Sequence, residues 1–228
     1  MKKNTFNTLN VVTCAMLSAL AVILASSVHF FSGGDTTVAS LISPMHFPIF
    51  LAGILCGQWL GLISGAMAPL VSFVANGRPP FPNGLIPMIF ELAAYGFLTG
   101  LFRKLFLKNS KTAKFASVIA LVLAMIAGRI VNALLFATVT AIGGAPFFAG
   151  FATQIVKNFI NTWVGIIAQL VLIPAILIAL QKSGVLLKYL PDSPTVKPTQ
   201  AQPHEDTSQE TAQPLIASAQ SDTTEQEK

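Results

Sequence analysis

The stretch that decides the fold is residues 43–100, which read SPMHFPIFLAGILCGQWLGLISGAMAPLVSFVANGRPPFPNGLIPMIFELAAYGFLTG. Glycines recur there at every fourth position: Gly53, Gly57, Gly61 and Gly65. Small residues at this spacing let helix backbones approach closely within a lipid bilayer. A proline-rich loop, 77–84, interrupts the apolar sequence, and Glu91 follows inside the next apolar run. Because an ionisable side chain inside a membrane span is costly, Glu91 marks a candidate functional site.

The composition is that of an integral membrane protein. Of 228 residues, 53% are hydrophobic and 10% are charged, with a mean hydropathy of +0.68, whereas soluble domains carry roughly 25% charged residues. Residues 1–191 contain twelve Lys and Arg but only two acids, Asp35 and Glu91. The positive-inside rule accounts for this basic excess without a nucleic-acid partner.

The sequence predicts an all-α membrane domain over residues 1–190 and a disordered polar cytoplasmic tail over 191–228. Six transmembrane helices are expected at about 9–28, 39–57, 58–74, 85–101, 115–141 and 152–180. The chain must turn near Gly57, because a single helix from Pro44 to Val74 would be about 46 Å long. Six spans put both termini on one side, and the basic segments share that side, so both termini are predicted to be cytoplasmic.

Polar and charged residues in the last three spans predict a ligand site. Glu91, Arg129 and Lys157 lie on three different spans, in the outer half of the bilayer or near its middle. Each has a polar neighbour three or four residues away on the same helix face. The predicted substrate-binding residues are Glu91, Tyr95, Arg129, Asn132, Lys157, Asn158, Asn161, Arg78 and His46. No metal site is predicted, because ligand-spaced partners for the histidines are missing.

Two interpretations of the charged residues stay open. A hollow holding Arg129 and Lys157 against the single acid Glu91 has a net positive charge and suits a ligand that carries a carboxylate, which the planar guanidinium binds well. Alternatively, Glu91 and Arg129 form a structural pair that fixes the helices, and Lys157 reaches outward to the interface.

The pattern PMHFPIFLAG, APLVS, GRPPFP, MIFELAAYGFLTG, AMIAGRIVNALL and IIAQLVLIPAIL, over about residues 8–182, resembles the substrate-binding (S) subunits of energy-coupling-factor (ECF) transporters, which are bacterial vitamin importers. This resemblance implies a cell-membrane protein that is not itself an enzyme and that needs no cofactor. It also implies three partners, a membrane coupling (T) subunit and two cytoplasmic ATPase subunits, and a small vitamin as ligand. The family's alanine motif, which contacts the coupling subunit, has candidates in Ala15/Ala19 and Ala21/Ala25 on the first span.

The ligand and two rival functions remain open at this stage. The positive hollow and the few aromatic residues in the last spans favour a small acid such as pantothenate or niacin. One rival is a self-sufficient secondary carrier with Glu91 as its proton site, which internal repeats would favour. The other is a structural membrane scaffold, which would need no polar cavity and would show no stabilisation by ligand.

Overall fold

The computed structural model describes residues 7–33, 35, 38, 41–107 and 116–183. All of them belong to the first of two compact units, Met1–Val196. The predicted disordered tail, 191–228, lies outside the described residues.

The described residues form long helices in the order α1 Thr8–Phe31, α2 His46–Cys56, α3 Gln58–Asn76, α4 Leu85–Leu107, α5 Ala116–Ile142, α6 Phe147–Ile160 and α7 Trp163–Lys182. Five of these helices, α1, α3, α4, α5 and α7, are long and apolar enough to cross a membrane. The predicted all-helical membrane fold is therefore confirmed.

The second predicted span is shorter than expected. Helix α2 has 11 residues, about 17 Å at 1.5 Å per residue, which is well short of the roughly 30 Å hydrocarbon core. It begins at His46 because Ser43 takes a positive φ of 49° and Pro44 lies in a turn. The predicted turn after α2 falls at Gly57, whose φ of 93° favours glycine.

The last predicted span, 152–180, is divided between α6 and α7. The break lies at Asn161 and Thr162, which form a turn. The carbonyl of Asn158 in the last turn of α6 accepts hydrogen bonds from two side chains, those of Arg129 and Thr162. Such side-chain partners satisfy a carbonyl that the end of a helix leaves without its usual backbone donor.

Helix α2 occupies the centre of the bundle. Ten of its 11 residues are buried, and α1, α3, α4 and α7 all pack against it. Its fully buried side chains include Ile49 and Phe50. A helix that is apolar on every side in this way is a core helix rather than a surface element.

Glycines bring α3 and α4 into direct backbone contact. A Cβ atom added at Gly61 would lie 2.5 Å from the carbonyl oxygen of Gly96, and a Cβ at Gly96 would overlap the carbonyl oxygen of Gly61. One turn away, a Cβ at Gly65 would overlap the carbonyl of Leu92. The predicted close approach of small residues therefore fixes how α4 packs on α3.

We expect Gly96→Ala to destabilise the protein by about 1–3 kcal/mol, the usual cost of overpacking, because the atom it meets belongs to the backbone and cannot rotate away. Thermal unfolding in detergent measures the effect. Gly143→Ala is the control with a much smaller clash: its added Cβ would lie 3.3 Å from the carbonyl oxygen of Thr140, which need shift by only a few tenths of an ångström. Equal melting temperatures for the two variants would contradict the packing argument.

Candidate functional site: a buried polar cluster

Glu91, on α4, is buried against α5 and the start of α2, and both of its carboxylate oxygens have hydrogen-bond partners. It is 7% exposed. The hydroxyl of Tyr95, one turn along α4, donates to Oε1 at 2.7 Å, and Nδ2 of Asn132 donates to Oε2 at 2.8 Å. Nε2 of His46 lies 3.8 Å from Oε1. These contacts replace the water that a carboxylate loses on burial.

Asn132 connects the carboxylate to α6. Its Oδ1 accepts hydrogen bonds from Nδ2 of Asn158 at 3.0 Å and from Nε2 of Gln154 at 2.9 Å. Gln154 also donates to Oδ1 of Asn158, at 3.2 Å. A continuous chain of hydrogen bonds therefore runs from Tyr95 through Glu91 to α6. Because every member polarises the next, such a network is sensitive to the loss of any one of them.

Arg129 is 3% exposed and lies where α6 ends. Its Nη1 donates to the carbonyl of Asn158 and, at 2.7 Å, to Oγ1 of Thr162. The guanidinium carbon lies 5.8 Å from the centroid of the Phe159 ring. A cation suits this position, because the last carbonyls of a helix carry partial negative charge.

Arg129 and Glu91 are joined through neutral amides rather than as an ion pair. Glu91 accepts from Asn132, and Asn158 donates to the side chain of Asn132 and to the backbone carbonyl of Arg129. Among the described residues, the basic side chain found within 4.0 Å of the Glu91 carboxylate is that of His46. The predicted structural pair between Glu91 and Arg129 is therefore not formed directly.

Two polar atoms of the cluster lack partners. Nη2 of Arg129 and Nδ1 of His46 are buried and have no hydrogen-bond partner among the described residues. A buried donor without a partner is rare in native proteins and calls for an explanation. Nη2 in particular is a permanent donor, since the guanidinium stays protonated.

The aromatic ring of Tyr95 fixes the geometry around the carboxylate. Its centroid lies 4.7 Å from that of Phe50 and 5.2 Å from that of His46. On the other side, Gly128 leaves room for the ring, because a Cβ atom there would lie 2.5 Å from Cδ1 of Tyr95. The phenol is thus held with its hydroxyl toward Glu91.

The structure brings six of the nine predicted ligand residues together. With two further residues, Gln154 and Thr162, they form what we call the Glu91 cluster: His46, Glu91, Tyr95, Arg129, Asn132, Gln154, Asn158 and Thr162. Gln154, Asn158 and Thr162 recur at every fourth position, so their spacing is the signal that points to these two additions.

Three predicted ligand residues lie outside the cluster. Lys157 is exposed on α6, where it is rotated by about 100° from its neighbour Asn158. Asn161 is exposed in the turn that follows α6. Within the described part of the chain no contact joins Lys157 to Glu91 or Arg129, so a common hollow for the three charges stays a prediction. Arg78 is half-buried in the loop after α3 and lines a separate cleft with the end of α1.

The candidate docking alanines separate into two pairs. Ala21 and Ala25 are 0% and 5% exposed, because their face of α1 packs against the bundle. They are therefore not available to a partner, which corrects that part of the prediction. Ala15 and Ala19 are exposed on the opposite face.

The cluster contains a carboxylate, a guanidinium, an imidazole and several amides, which are groups that bind a polar ligand or cross-link helices. Among the described residues, no three His, Cys, Asp or Glu side chains lie close enough to hold a metal ion. The fold and the cluster define the class: a multi-pass helical membrane protein with a polar site among its spans.

The family follows from a direct comparison. The model of the family "ECF transporter, substrate-specific component" matches residues 9–185, and the chain belongs to this family. Its members are substrate-binding subunits of transporters, not enzymes. No curated protein and no solved structure matches the chain.

We expect Asn132→Ala to lower the free energy of unfolding by about 1–3 kcal/mol, since it leaves Oε2 of Glu91 without its partner and removes an acceptor shared by Asn158 and Gln154. Denaturant unfolding in detergent measures the loss. Asn161→Ala removes the same side chain from an exposed position and should change stability by less than about 0.5 kcal/mol. A neutral result for Asn132→Ala would show that the network does not stabilise the bundle.

Proposed function

We propose that this chain is the substrate-binding subunit of an ATP-driven importer in the bacterial plasma membrane. Its ligand is a small water-soluble vitamin or related micronutrient that carries a carboxylate, such as pantothenate or niacin. The single observation that carries the proposal is the buried Nη2 of Arg129, which has no partner in the described residues of a membrane-embedded polar cluster.

The hydrogen-bonding capacity left in the cluster favours an acceptor as ligand. Both oxygens of Glu91 already accept hydrogen bonds from protein side chains. The carboxylate therefore has less capacity left to accept hydrogen bonds from a ligand. Arg129 uses Nη1 within the protein but leaves Nη2 without a partner. A guanidinium binds a carboxylate strongly, often through two parallel hydrogen bonds. Nδ1 of His46 is a second buried nitrogen of the cluster that has no partner among the described residues.

Family membership supports the rest of the assembly. Substrate-specific components associate with a membrane coupling (T) subunit and ATPase subunits, and we assign this chain one T subunit and two cytoplasmic ATPases. Both termini are cytoplasmic in this arrangement, a topology that the positive-inside bias of the basic segments supports. The exposed Ala15 and Ala19 form the contact with the T subunit, because small residues let another helix approach closely.

The direct test is to identify the small molecule that remains bound during purification, by mass spectrometry of the denatured protein. A carboxylate vitamin is the expected result. Stabilisation of the protein against heat by that compound confirms binding, since a ligand of the native state raises its stability. A scaffold protein would show neither result.

Arg129→Ala should weaken binding of the identified compound roughly 10- to 100-fold, the effect of one hydrogen bond between charged groups. Isothermal titration in detergent measures it. Thr162→Val serves as the matched control, because it removes the contact of Nη1 at the helix break while keeping the guanidinium. If Thr162→Val loses as much affinity as Arg129→Ala, Arg129 acts by holding α6 and not by binding ligand.

Ala15→Trp should abolish uptake while leaving ligand affinity unchanged. The large side chain on the exposed face of α1 blocks the T subunit, and no residue of α1 belongs to the cluster. Uptake by cells that express the whole importer and titration of the isolated subunit are the two measurements. Ala21→Trp, at a fully buried position, should instead reduce folded protein. Uptake that persists in Ala15→Trp would contradict the docking face on α1. Uptake that persists after removal of the ATPases would favour a self-sufficient carrier.

A further inference from the structure

A further buried polar side chain lies on α7, outside the Glu91 cluster. Gln169 is fully buried, and neither Nε2 nor Oε1 of its amide has a hydrogen-bond partner among the described residues. No other residue in the described part of the chain has two buried side-chain polar atoms without partners. Because an amide carries two donor hydrogens and an accepting oxygen, burying it unpaired is costly. Gln169 therefore needs a reason for being there.

The buried face of α7 is otherwise suited to apolar packing. Its buried residues recur at every fourth position: Gly165, Gln169, Ile173 and Leu177. The last two belong to the hydrophobic core of the bundle. An apolar side chain of similar size at position 169 would pack on this core without the cost of an unpaired amide. Helix packing alone therefore does not account for a glutamine.

Gln169 lies on the same side of α7 as the contact with Arg129. Nη1 of Arg129 donates to Oγ1 of Thr162 at 2.7 Å, and Thr162 directly precedes α7. Gln169 is seven residues farther along, which is close to two helical turns and about 10 Å. Because helical side chains lean toward the N-terminal end of their helix, the amide is nearer to the guanidinium than the backbone spacing alone gives.

The same face of α7 also turns toward the start of α2. Gly165 lies one turn before Gln169, and a Cβ atom added to it would lie 2.9 Å from the carbonyl oxygens of Leu41 and Ile42. That segment leads into α2, which begins at His46. Nδ1 of His46 is buried without a partner among the described residues. The unpaired groups of α2, α5 and α7 therefore lie on neighbouring parts of the bundle.

We propose that Gln169 determines specificity by binding the neutral polar part of a ligand whose carboxylate is bound by Arg129. This inference rests on the proposed function, because it takes the carboxylate ligand from there. The amide offers both a donor and an acceptor, so the matching group is one that does both, a hydroxyl or an amide. The spacing along α7 puts that group roughly 5–10 Å from the carboxylate.

Such a residue selects against ligands that lack the matching group. A site built to hydrogen-bond a hydroxyl or amide rejects an analogue without it, because the buried polar atoms of the site then stay unpaired. Pantothenate has an amide and two hydroxyls in addition to its carboxylate. Niacin has only a ring nitrogen, which accepts a hydrogen bond but donates none at neutral pH. Gln169 should therefore favour pantothenate over niacin.

The test is isothermal titration of the full chain in detergent with these two compounds as probes. Gln169→Met should weaken binding of pantothenate about tenfold, the effect of one or two hydrogen bonds between neutral groups. Its affinity for niacin should change by less than about threefold. Methionine is the substitute because it is unbranched like glutamine and fills apolar space readily. Unchanged binding of pantothenate by this variant would overturn the proposal.

The melting temperature of the ligand-free protein separates ligand binding from a structural role. Gln169→Met should raise it, because the variant no longer buries an unpaired amide. A lower melting temperature together with weaker binding would show that the amide holds the helices, and would overturn the proposal.

Gln58→Met is the matched control. Oε1 of Gln58 is also buried without a partner among the described residues, but Gln58 begins α3, at the opposite end of α2 from His46. The same chemical change there should leave binding of pantothenate unaltered. Equal losses of affinity in Gln58→Met and Gln169→Met would overturn the specific role of Gln169.

The molecule that remains bound during purification distinguishes failure of this inference from failure of the proposed function. A carboxylate that also carries a hydroxyl or amide supports both. A carboxylate without such a group overturns the role of Gln169 and leaves the proposed function intact. A bound molecule that has no carboxylate, with neither probe binding, overturns the carboxylate ligand and with it the role of Gln169.

Discussion

Burial of the Glu91 carboxylate is the constraint on which the rest of the site depends. A charged group away from water is stable only when its hydrogen bonds are supplied by the protein. Tyr95 supplies one from the same helix, and Asn132 supplies the other from α5. Because Asn132 is itself held by Asn158 and Gln154, the single acid fixes the positions of α4, α5 and α6 together.

The glycine contact between α3 and α4 places that acid. Gly96 meets the backbone of Gly61, while Tyr95, the preceding residue, points with Glu91 toward α2 and α5. Successive helical residues differ in direction by about 100°, so one face of α4 packs on α3 and the adjacent face carries the polar groups. The orientation of α4 about its own axis therefore determines both how it packs on α3 and where the polar cluster lies.

The sequence predicts the fold class and most of the cluster for physical reasons that are local. Apolar length predicts spans, and polar residues within spans predict the positions of Glu91, Arg129 and Asn132. The break between α6 and α7 could not be predicted, because it depends on Arg129 from another helix binding the carbonyl of Asn158. Because the sequence predicted one continuous span over 152–180 instead of α6 and α7, it did not determine which way the side chain of Lys157 points.

Two other features, the buried face of α1 and the short length of α2, also depend on contacts between helices and could not be predicted from the sequence. Ala15/Ala19 and Ala21/Ala25 have equal spacing in the sequence, and only packing against α2 and α3 makes one pair buried and the other exposed. The short length of α2 depends on a positive φ at Ser43, a conformation to which serine has no strong preference. Both features arise from tertiary contacts rather than from local pattern.

The arrangement of Arg129 argues against a cluster that serves only to hold helices. A structural network gains most when every buried group is satisfied, and a half-satisfied one is less stable than an apolar core. Here the neutral amides are satisfied, as is the carboxylate, and the unmet donors are Nη2 of Arg129 and a nitrogen of His46. Cross-linking of the helices uses Nη1 of Arg129, which binds the end of α6, and provides no partner for Nη2. The anionic ligand that we propose would supply the missing partner, because a guanidinium binds a carboxylate strongly.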